Sequence, residues 1–120
     1  MTDKKHLQLS RLESFERGWV VGNFSPTRLQ TNDFEVAVKS YVSGDYEARH
    51  VHKIATEYSI VVTGKYRMND TVLEAGDIVT LTPGVDADFL CLEPGKVAVI
   101  KVPSVANDKF IIERSNEKNS

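Results

Sequence analysis

Two histidines and a glutamate in the middle of the chain have the side chains and the spacing to share one ligand. His50 and His52 are two positions apart, and Glu57 follows after four intervening residues. Residues at i and i+2 of a strand point to the same face, so the two imidazoles can converge on one point. Two imidazoles and a carboxylate suit Fe(II), Mn, Ni, Zn or Cu, which predicts a divalent metal site at these three residues.

The sequence around this trio is typical of an all-β protein. Valine is the most frequent residue type, and β-branched residues favour strands. Turn signals recur at short intervals between apolar segments. They are Ser43-Gly44-Asp45, Thr63-Gly64, Asn69-Asp70, Ala75-Gly76-Asp77, Pro83-Gly84 and Pro94-Gly95. The pattern predicts a barrel or a sandwich, with a tight hairpin at Asn69-Asp70.

Strand-like alternation is clear in one segment, while both ends of the chain differ from it. Phe34, Val36 and Val38 share one face of a predicted strand, with Glu35 and Lys39 on the other. Apolar residues recurring every third position over residues 7–17 indicate a short helix or an irregular arm. The segment 113–120 is polar and is predicted to fray.

Length, charge and cysteine usage limit the function classes. A chain of 120 residues makes one domain. With 15 basic and 17 acidic residues, a nucleic acid or an anionic membrane is not the expected partner. The single cysteine, Cys91, cannot form an internal disulfide and is predicted to be a small buried hydrophobe. No leader or membrane-span pattern is visible, so a cytoplasmic location is expected.

The segment from Gly44 to Gly64 resembles the first motif of the cupin superfamily, G-x5-H-x-H-x3–4-E-x6-G, at all fixed positions. The resemblance implies a double-stranded β-helix, or jelly-roll barrel. Its core would cover about residues 34–103 of a single domain, 1–120, with a short N-terminal arm. Since single-domain cupins are commonly dimers, the resemblance also implies a homodimer.

The second cupin motif is incomplete. Gly76-Asp77 and Pro83-Gly84 match it, but Ala87 stands where metal-binding cupins carry a histidine as fourth ligand. Asp86 or Asp88 could take that place, and no spacing rule decides between them.

A shorter similarity points to a different chemistry. The run from Arg49 to Lys53, Arg-His-Val-His-Lys, resembles the sugar-nucleotide 3,4-ketoisomerase cupins. That resemblance implies metal-free catalysis, with the two histidines as acid and base on a keto-sugar. Imidazole suits such proton transfer because its pKa lies near neutrality. Glu57 departs from that family, whose members do not usually carry an acid there.

The sequence therefore predicts a small cupin that binds a small polar, sugar-derived ligand in its barrel. His50, His52 and Glu57 are the predicted catalytic and metal-binding residues, with Fe, Mn, Ni or Zn as the expected metal. If the protein is an enzyme, an isomerase or epimerase acting on a sugar or keto acid is expected. The alternatives are a non-catalytic binding or sensing cupin and an Fe-dependent oxygenase.

Several residues near this site allow two structural interpretations. Tyr41, Tyr46 and Tyr58 could hydrogen-bond a ligand or could pack at the rim. Tyr58 is predicted to face away from Glu57. Arg49 and Lys53 are predicted to face outward unless the strand bulges. The segment from Trp19 to Phe24 is either an edge strand that pairs with a second subunit or a first strand that covers the barrel.

Overall fold

The computed structural model of the protein describes residues 7–112, and ten strands carry its architecture. The bounds are β1 Trp19–Val21, β2 Glu35–Tyr41, β3 Tyr46–His52, β4 Thr56–Val61, β5 Lys65–Met68, β6 Thr71–Glu74, β7 Ile78–Leu81, β8 Asp86–Glu93, β9 Gly95–Val102 and β10 Lys109–Ile111. Two 3₁₀ turns, Leu12–Ser14 and Glu16–Gly18, precede them. The tail predicted to fray, residues 113–120, lies outside the described residues.

The strands form two antiparallel five-stranded sheets. Their orders are β1-β2-β9-β4-β7 and β10-β3-β8-β5-β6. Neighbouring strands are mostly distant in sequence, which is the arrangement of an antiparallel jelly roll. The all-β prediction is thus confirmed, while β1 and β10 add one strand on each side of the predicted core 34–103. Among the described residues, no helix is long and apolar enough to cross a membrane.

Local turn chemistry explains where two of these strands end. Met68 pairs with Thr71, so Asn69 and Asp70 form the predicted two-residue hairpin between β5 and β6. Gly64, the last glycine of the first motif, follows β4 with φ 95°. A Cβ there would lie 2.7 Å from the Tyr66 hydroxyl, so the position requires glycine for its backbone and for its space.

The interior changes character along the strands. Inward residues of β9 run from the buried Val97 and Val99 to Lys101, and those of β4 run from Val61 to Glu57. We call the two halves the apolar end and the polar end. The apolar end contains Tyr41, Val61, Tyr66, Phe89, Cys91 and Val97. The polar end contains Glu35, His50, His52, Glu57 and Lys101.

Aromatic packing fills the apolar end. Tyr66 is fully buried and stacks on Phe89 with ring centroids 5.1 Å apart, while Tyr41 meets Tyr66 edge-on at 5.6 Å. Cys91 is buried beside them, as predicted. Such contacts between large side chains supply much of the free energy that holds a barrel of this size together.

The face of β2 that points inward is the more polar one. Lys39 lines the barrel cavity, whereas Val36 and Val38 alternate with the inward positions and lie on the outer side of the sheet. Only Ala37, on the inward face, is fully buried. Alternation predicted the two faces correctly but did not show which one forms the interior.

Candidate metal centre

A β-bulge in β3 sets the direction of the first histidine. Glu47 pairs with Phe89 and His50 pairs with Ala87, so β3 carries one more residue than β8 between these two pairs. The extra residue changes the alternation, and both Glu47 and His50 therefore face the interior. His52 follows two positions later on the same face, while Glu57 enters from the start of β4.

The three predicted ligands come together in the structure. One ligand atom from each of His50, His52 and Glu57 lies within 4.8 Å of the other two. The histidines are 8% and 6% exposed, and the glutamate side chain is 12% exposed. The arrangement thus offers two imidazole nitrogens and one carboxylate oxygen around a single protected point.

Backbone carbonyls fix the tautomer of both rings. His50 Nδ1 lies 2.8 Å from the Ala48 oxygen, and His52 Nδ1 lies 3.0 Å from the Asp108 oxygen. Because a carbonyl oxygen only accepts, each Nδ1 carries the hydrogen and donates it. In the neutral ring each Nε2 then has a lone pair, which is the state of a metal-bound histidine anchored by a backbone carbonyl.

One atom of this cluster is buried without a hydrogen-bond partner. His52 Nε2 lies 3.2 Å from Glu57 Oε1, yet the contact is not aligned as a hydrogen bond. With the ring proton on Nδ1, a lone pair and a carboxylate oxygen face each other, and two acceptors repel unless a cation lies between them. A divalent cation bound to both would remove that repulsion, so these residues fit a metal.

The charge states of the cluster also suit a cation. Burial alone would raise the pKa of Glu57, but neighbouring basic groups, the Lys101 ammonium among them, outweigh it and hold the pKa below its ordinary 4.5. Burial lowers the pKa of His50 below its ordinary 6.5. At neutral pH the carboxylate is therefore charged and His50 is neutral, as metal ligands must be.

The fourth-ligand position of the second motif carries no ligating side chain. Ala87 lies directly opposite His50 and is 3% exposed, so a methyl group occupies the place of the expected histidine. Asp86 and Asp88 alternate with it along β8, and their carboxylates lie 3.5 Å and 3.9 Å from Arg49. Among the described residues neither joins the cluster. Three protein ligands leave positions for water or a bound molecule.

Asp108 supports this site, although no motif or spacing around it predicts such a role. Its carboxylate accepts backbone N–H groups from Lys53, Ile54 and Ala55 at 3.0, 3.1 and 2.9 Å. Its own carbonyl holds the His52 ring. The residue therefore fixes both the turn that links β3 to β4 and the orientation of one ligand.

The cavity beside the cluster is small, and the three tyrosine candidates differ in whether they line it. Its volume is about 130 Å³. Tyr41 lines it, and its hydroxyl donates to Glu47 Oε2 at 2.9 Å. Tyr46 and Tyr58 are 58% and 37% exposed and do not line it. Tyr58 faces away from Glu57, as predicted.

The two basic neighbours of the histidines also have defined contacts. Arg49 faces outward toward Asp86 and Asp88, despite the bulge. Lys53 is exposed, with its ammonium 4.3 Å from the centre of the Phe110 ring. Neither side chain reaches the cavity of the cluster.

Comparison with solved structures supports the assignment of the chain to the double-stranded β-helix fold. A conserved protein with a double-stranded β-helix domain from Klebsiella pneumoniae is 28% identical over 70% of this chain and 78% of its own, with a TM-score of 0.60. An RmlC-like cupin from Shewanella frigidimarina is 23% identical over 65% and 72%, with a TM-score of 0.57. The DMSP lyase DddQ from Ruegeria pomeroyi is 16% identical over 78% and 49%, with a TM-score of 0.65.

The fold and the cluster define a small double-stranded β-helix protein with a candidate mononuclear metal centre. The chain shares the double-stranded β-helix fold of these proteins, which is the fold that the resemblance of its first motif predicts. No family model matches the sequence, and no curated protein matches it either. The likeness to the ketoisomerase cupins is not among these findings and stays a prediction.

Proposed function

We propose that the protein binds one divalent metal ion at His50, His52 and Glu57 and uses it to hold a small oxygen-bearing ligand inside the barrel. The observation that carries the proposal is the buried Nε2 of His52, which faces a carboxylate oxygen at 3.2 Å without a hydrogen bond. When bound, the metal would supply Lewis acidity to an oxygen of the ligand.

The protein's own groups prepare this site in two ways. The carbonyls of Ala48 and Asp108 orient the rings so that no rotation is needed on binding. The low pKa of Glu57 keeps its charge in place at neutral pH. Both features reduce the reorganisation that metal binding would otherwise require.

The size of the cavity limits what can be held there. Its volume of about 130 Å³ is close to the roughly 150 Å³ of an engineered cavity that accepts benzene. A hexose has about twice as many heavy atoms as benzene, so a sugar-derived ligand would have to extend out of the cavity. A sugar ligand with isomerase or epimerase activity therefore remains a prediction, beside a non-catalytic sensing role.

Metal content tests this function directly. Protein dialysed after incubation with Fe(II), Mn, Ni or Zn should retain roughly one ion per chain by elemental analysis. The variant His50→Ala should lose it, and so should Glu57→Gln, because each removes one of three ligands. Glu93→Gln, an exposed carboxyl at the end of β8, is the matched control and should keep the metal.

Two results would contradict the proposal. One is a folded wild-type protein that retains none of the four metals, and the other is full metal content in His50→Ala. If such metal-free protein exchanged the protons of a keto-sugar nucleotide in deuterated water, the ketoisomerase-like alternative would replace it.

We also propose that the chain forms a homodimer through the outer face of the β1-β2-β9-β4-β7 sheet. The strand register aligns two rows of cross-strand neighbours on that face. The rows are Val36-Ile100-Tyr58-Thr80 and Val38-Ala98-Ile60-Ile78. Seven of these eight residues are apolar or aromatic, and a contiguous apolar face of this kind is typical of a protein interface.

Sedimentation of an outer-face variant tests the dimer. Ile78 is 65% exposed, and Ile78→Lys should convert a wild-type dimer into monomers because it places a charge in the apolar contact. Val72, 50% exposed on β6 in the other sheet, provides the control variant Val72→Lys. A monomeric wild-type protein, or a dimer unaffected by Ile78→Lys, would contradict this interface.

A further inference from the structure

Basic side chains gather at the mouth of the barrel cavity. Arg17, Lys39, Lys101 and Lys109 all line it. Lys39 has a partner, because its ammonium lies 2.8 Å from Glu47 Oε2. Within residues 7–112, no carboxylate lies at ion-pair distance from the other three cations. Three positive charges therefore surround the entrance without a direct counter-ion from this part of the chain.

Lys101 is the cation beside the metal centre. It is the cross-strand neighbour of Glu57 on one side and of Glu35 on the other. Its ammonium lies over the ring of Trp19, 5.1 Å from the centroid, and not against either carboxylate. A cation–π contact of this kind holds a charge in place while leaving its hydrogen-bond donors available to a ligand.

Arg17 enters the same cavity from the segment before β1. Its backbone is left-handed, with φ 50° and ψ 32°, a conformation that non-glycine residues seldom adopt. Gly18 follows with φ 81°, and a Cβ on it would collide with the Val38 carbonyl oxygen. The close approach of this turn to β2 places Arg17 at the edge of the cavity. Unusual conformations of this type cluster at ligand sites.

Lys109 completes the group from a third element. It pairs in register with His52 on the neighbouring strand and lines the barrel cavity beside it. The three cations therefore reach one opening from the N-terminal turn, from β9 and from β10.

The deeper wall of the cavity has the opposite character. Its lining there is apolar and consists of Met68, Leu81, Ala87, Phe89, Val97 and Val99. A ligand that satisfies both regions carries a negative charge at one end and a few carbon atoms at the other. A bare inorganic anion has no apolar part for this wall.

We propose that the ligand is a small organic acid whose carboxylate is bound by Arg17, Lys101 and Lys109 at the mouth. The cavity volume of about 130 Å³ sets its size at a few heavy atoms. This inference names the substrate class for the proposed metal-dependent function and rests on that function. Arginine and lysine donate charge-assisted hydrogen bonds to a carboxylate, which a neutral amide of the same shape cannot accept with equal strength.

Titration calorimetry with matched acids and amides tests the proposal. Zinc-loaded and metal-stripped protein would be titrated with acetate, glycolate and pyruvate, and with acetamide, glycolamide and pyruvamide. At least one acid should bind at least about tenfold more tightly than its amide, since charge-assisted contacts exceed neutral ones. Lys101→Met should remove most of that preference, because it weakens binding of the acid far more than binding of the amide.

Arg67→Met is the control because it removes one positive charge from the exposed outer face of β5. It should leave the preference for the acid intact. Equal binding of acid and amide would overturn the proposal, as would equal effects of Lys101→Met and Arg67→Met. It would also fail if none of the acids bound at millimolar concentration, or if inorganic phosphate bound more tightly than every acid.

Zinc content measured on the same samples separates the two proposals. One zinc per chain without a preference for acids contradicts only the proposal that the basic mouth binds a carboxylate. A preference for acids in protein that never retains zinc contradicts only the metal centre and supports binding of a carboxylate at the mouth.

Discussion

The apolar and polar ends of the barrel are built from the same strands but place different groups inside. On β9, Val97 and Val99 are 1% and 5% exposed, while Lys101, two positions further, is half-buried. On β4, Val61 is 1% exposed, and Glu57 at the other end of the strand belongs to the metal cluster. One set of strands thus supports packing at one end and polar chemistry at the other.

The difference shows how the fold accommodates a costly site. Buried charges and unpaired ring nitrogens lower the free energy of unfolding unless partners satisfy them. The stacked aromatic rings of the apolar end offset part of that cost. A site placed in the middle of the aromatic cluster would instead disrupt the packing on which the barrel depends.

The largest expected loss of stability comes from the apolar end. Tyr66→Ala removes a fully buried ring that stacks on Phe89 and donates a hydrogen bond to the Thr63 carbonyl at 2.9 Å. We expect the free energy of unfolding to fall by about 3–5 kcal/mol, measured by urea denaturation. Tyr46→Ala, at a position 58% exposed, should change it by less than about 0.5 kcal/mol. Similar losses in both variants would contradict the proposed role of the apolar end.

A smaller loss of stability is expected when Asp108, which supports the polar end, is replaced. Asp108→Ala leaves the N–H groups of Lys53, Ile54 and Ala55 without their shared acceptor, which should cost about 3 kcal/mol in urea denaturation. Asp70→Ala, at an exposed turn position, is the control and should change stability by less than about 0.5 kcal/mol. The two variants should also differ in metal content if the Asp108 loop orients His52.

The contribution of Asp108 should depend on pH in a defined direction. Burial would raise the pKa of its carboxyl, but the backbone N–H groups of Ala55, Lys53 and Ile54 outweigh it and hold the pKa below the ordinary 3.8. A carboxyl with a lowered folded pKa stabilises fully above its unfolded pKa and loses that contribution as pH falls through the folded value. The difference in the free energy of unfolding between wild type and Asp108→Asn should therefore be constant near neutrality and shrink below about pH 4. A gap that widens on acidification would contradict this role.

Much of the site could be predicted because its signals are local. The spacing of His50 and His52 placed both rings on one face of a strand, and the first motif added Glu57. The second motif identified Ala87 as the residue at the fourth-ligand position, and the strand register places it opposite His50. Turn chemistry at Asn69-Asp70 likewise gave the hairpin that the structure contains.

The remaining features depend on contacts between distant segments. Asp108 meets His52 across 56 positions, and no pattern around either residue announces that contact. The bulge in β3 moves Glu47 to the inner face, which strict alternation from His50 would not allow. The cations of the mouth converge from three separate elements, so no local pattern in the sequence brings them together.

The claim that His50, His52 and Glu57 hold a metal is tested most directly by anomalous diffraction. Crystals grown with manganese or zinc would be measured on both sides of the absorption edge of that metal. One strong anomalous peak per chain is expected between His50 Nε2, His52 Nε2 and Glu57 Oε1. Ordered protein without a peak there, with His52 Nε2 in an aligned hydrogen bond to Glu57, would contradict it.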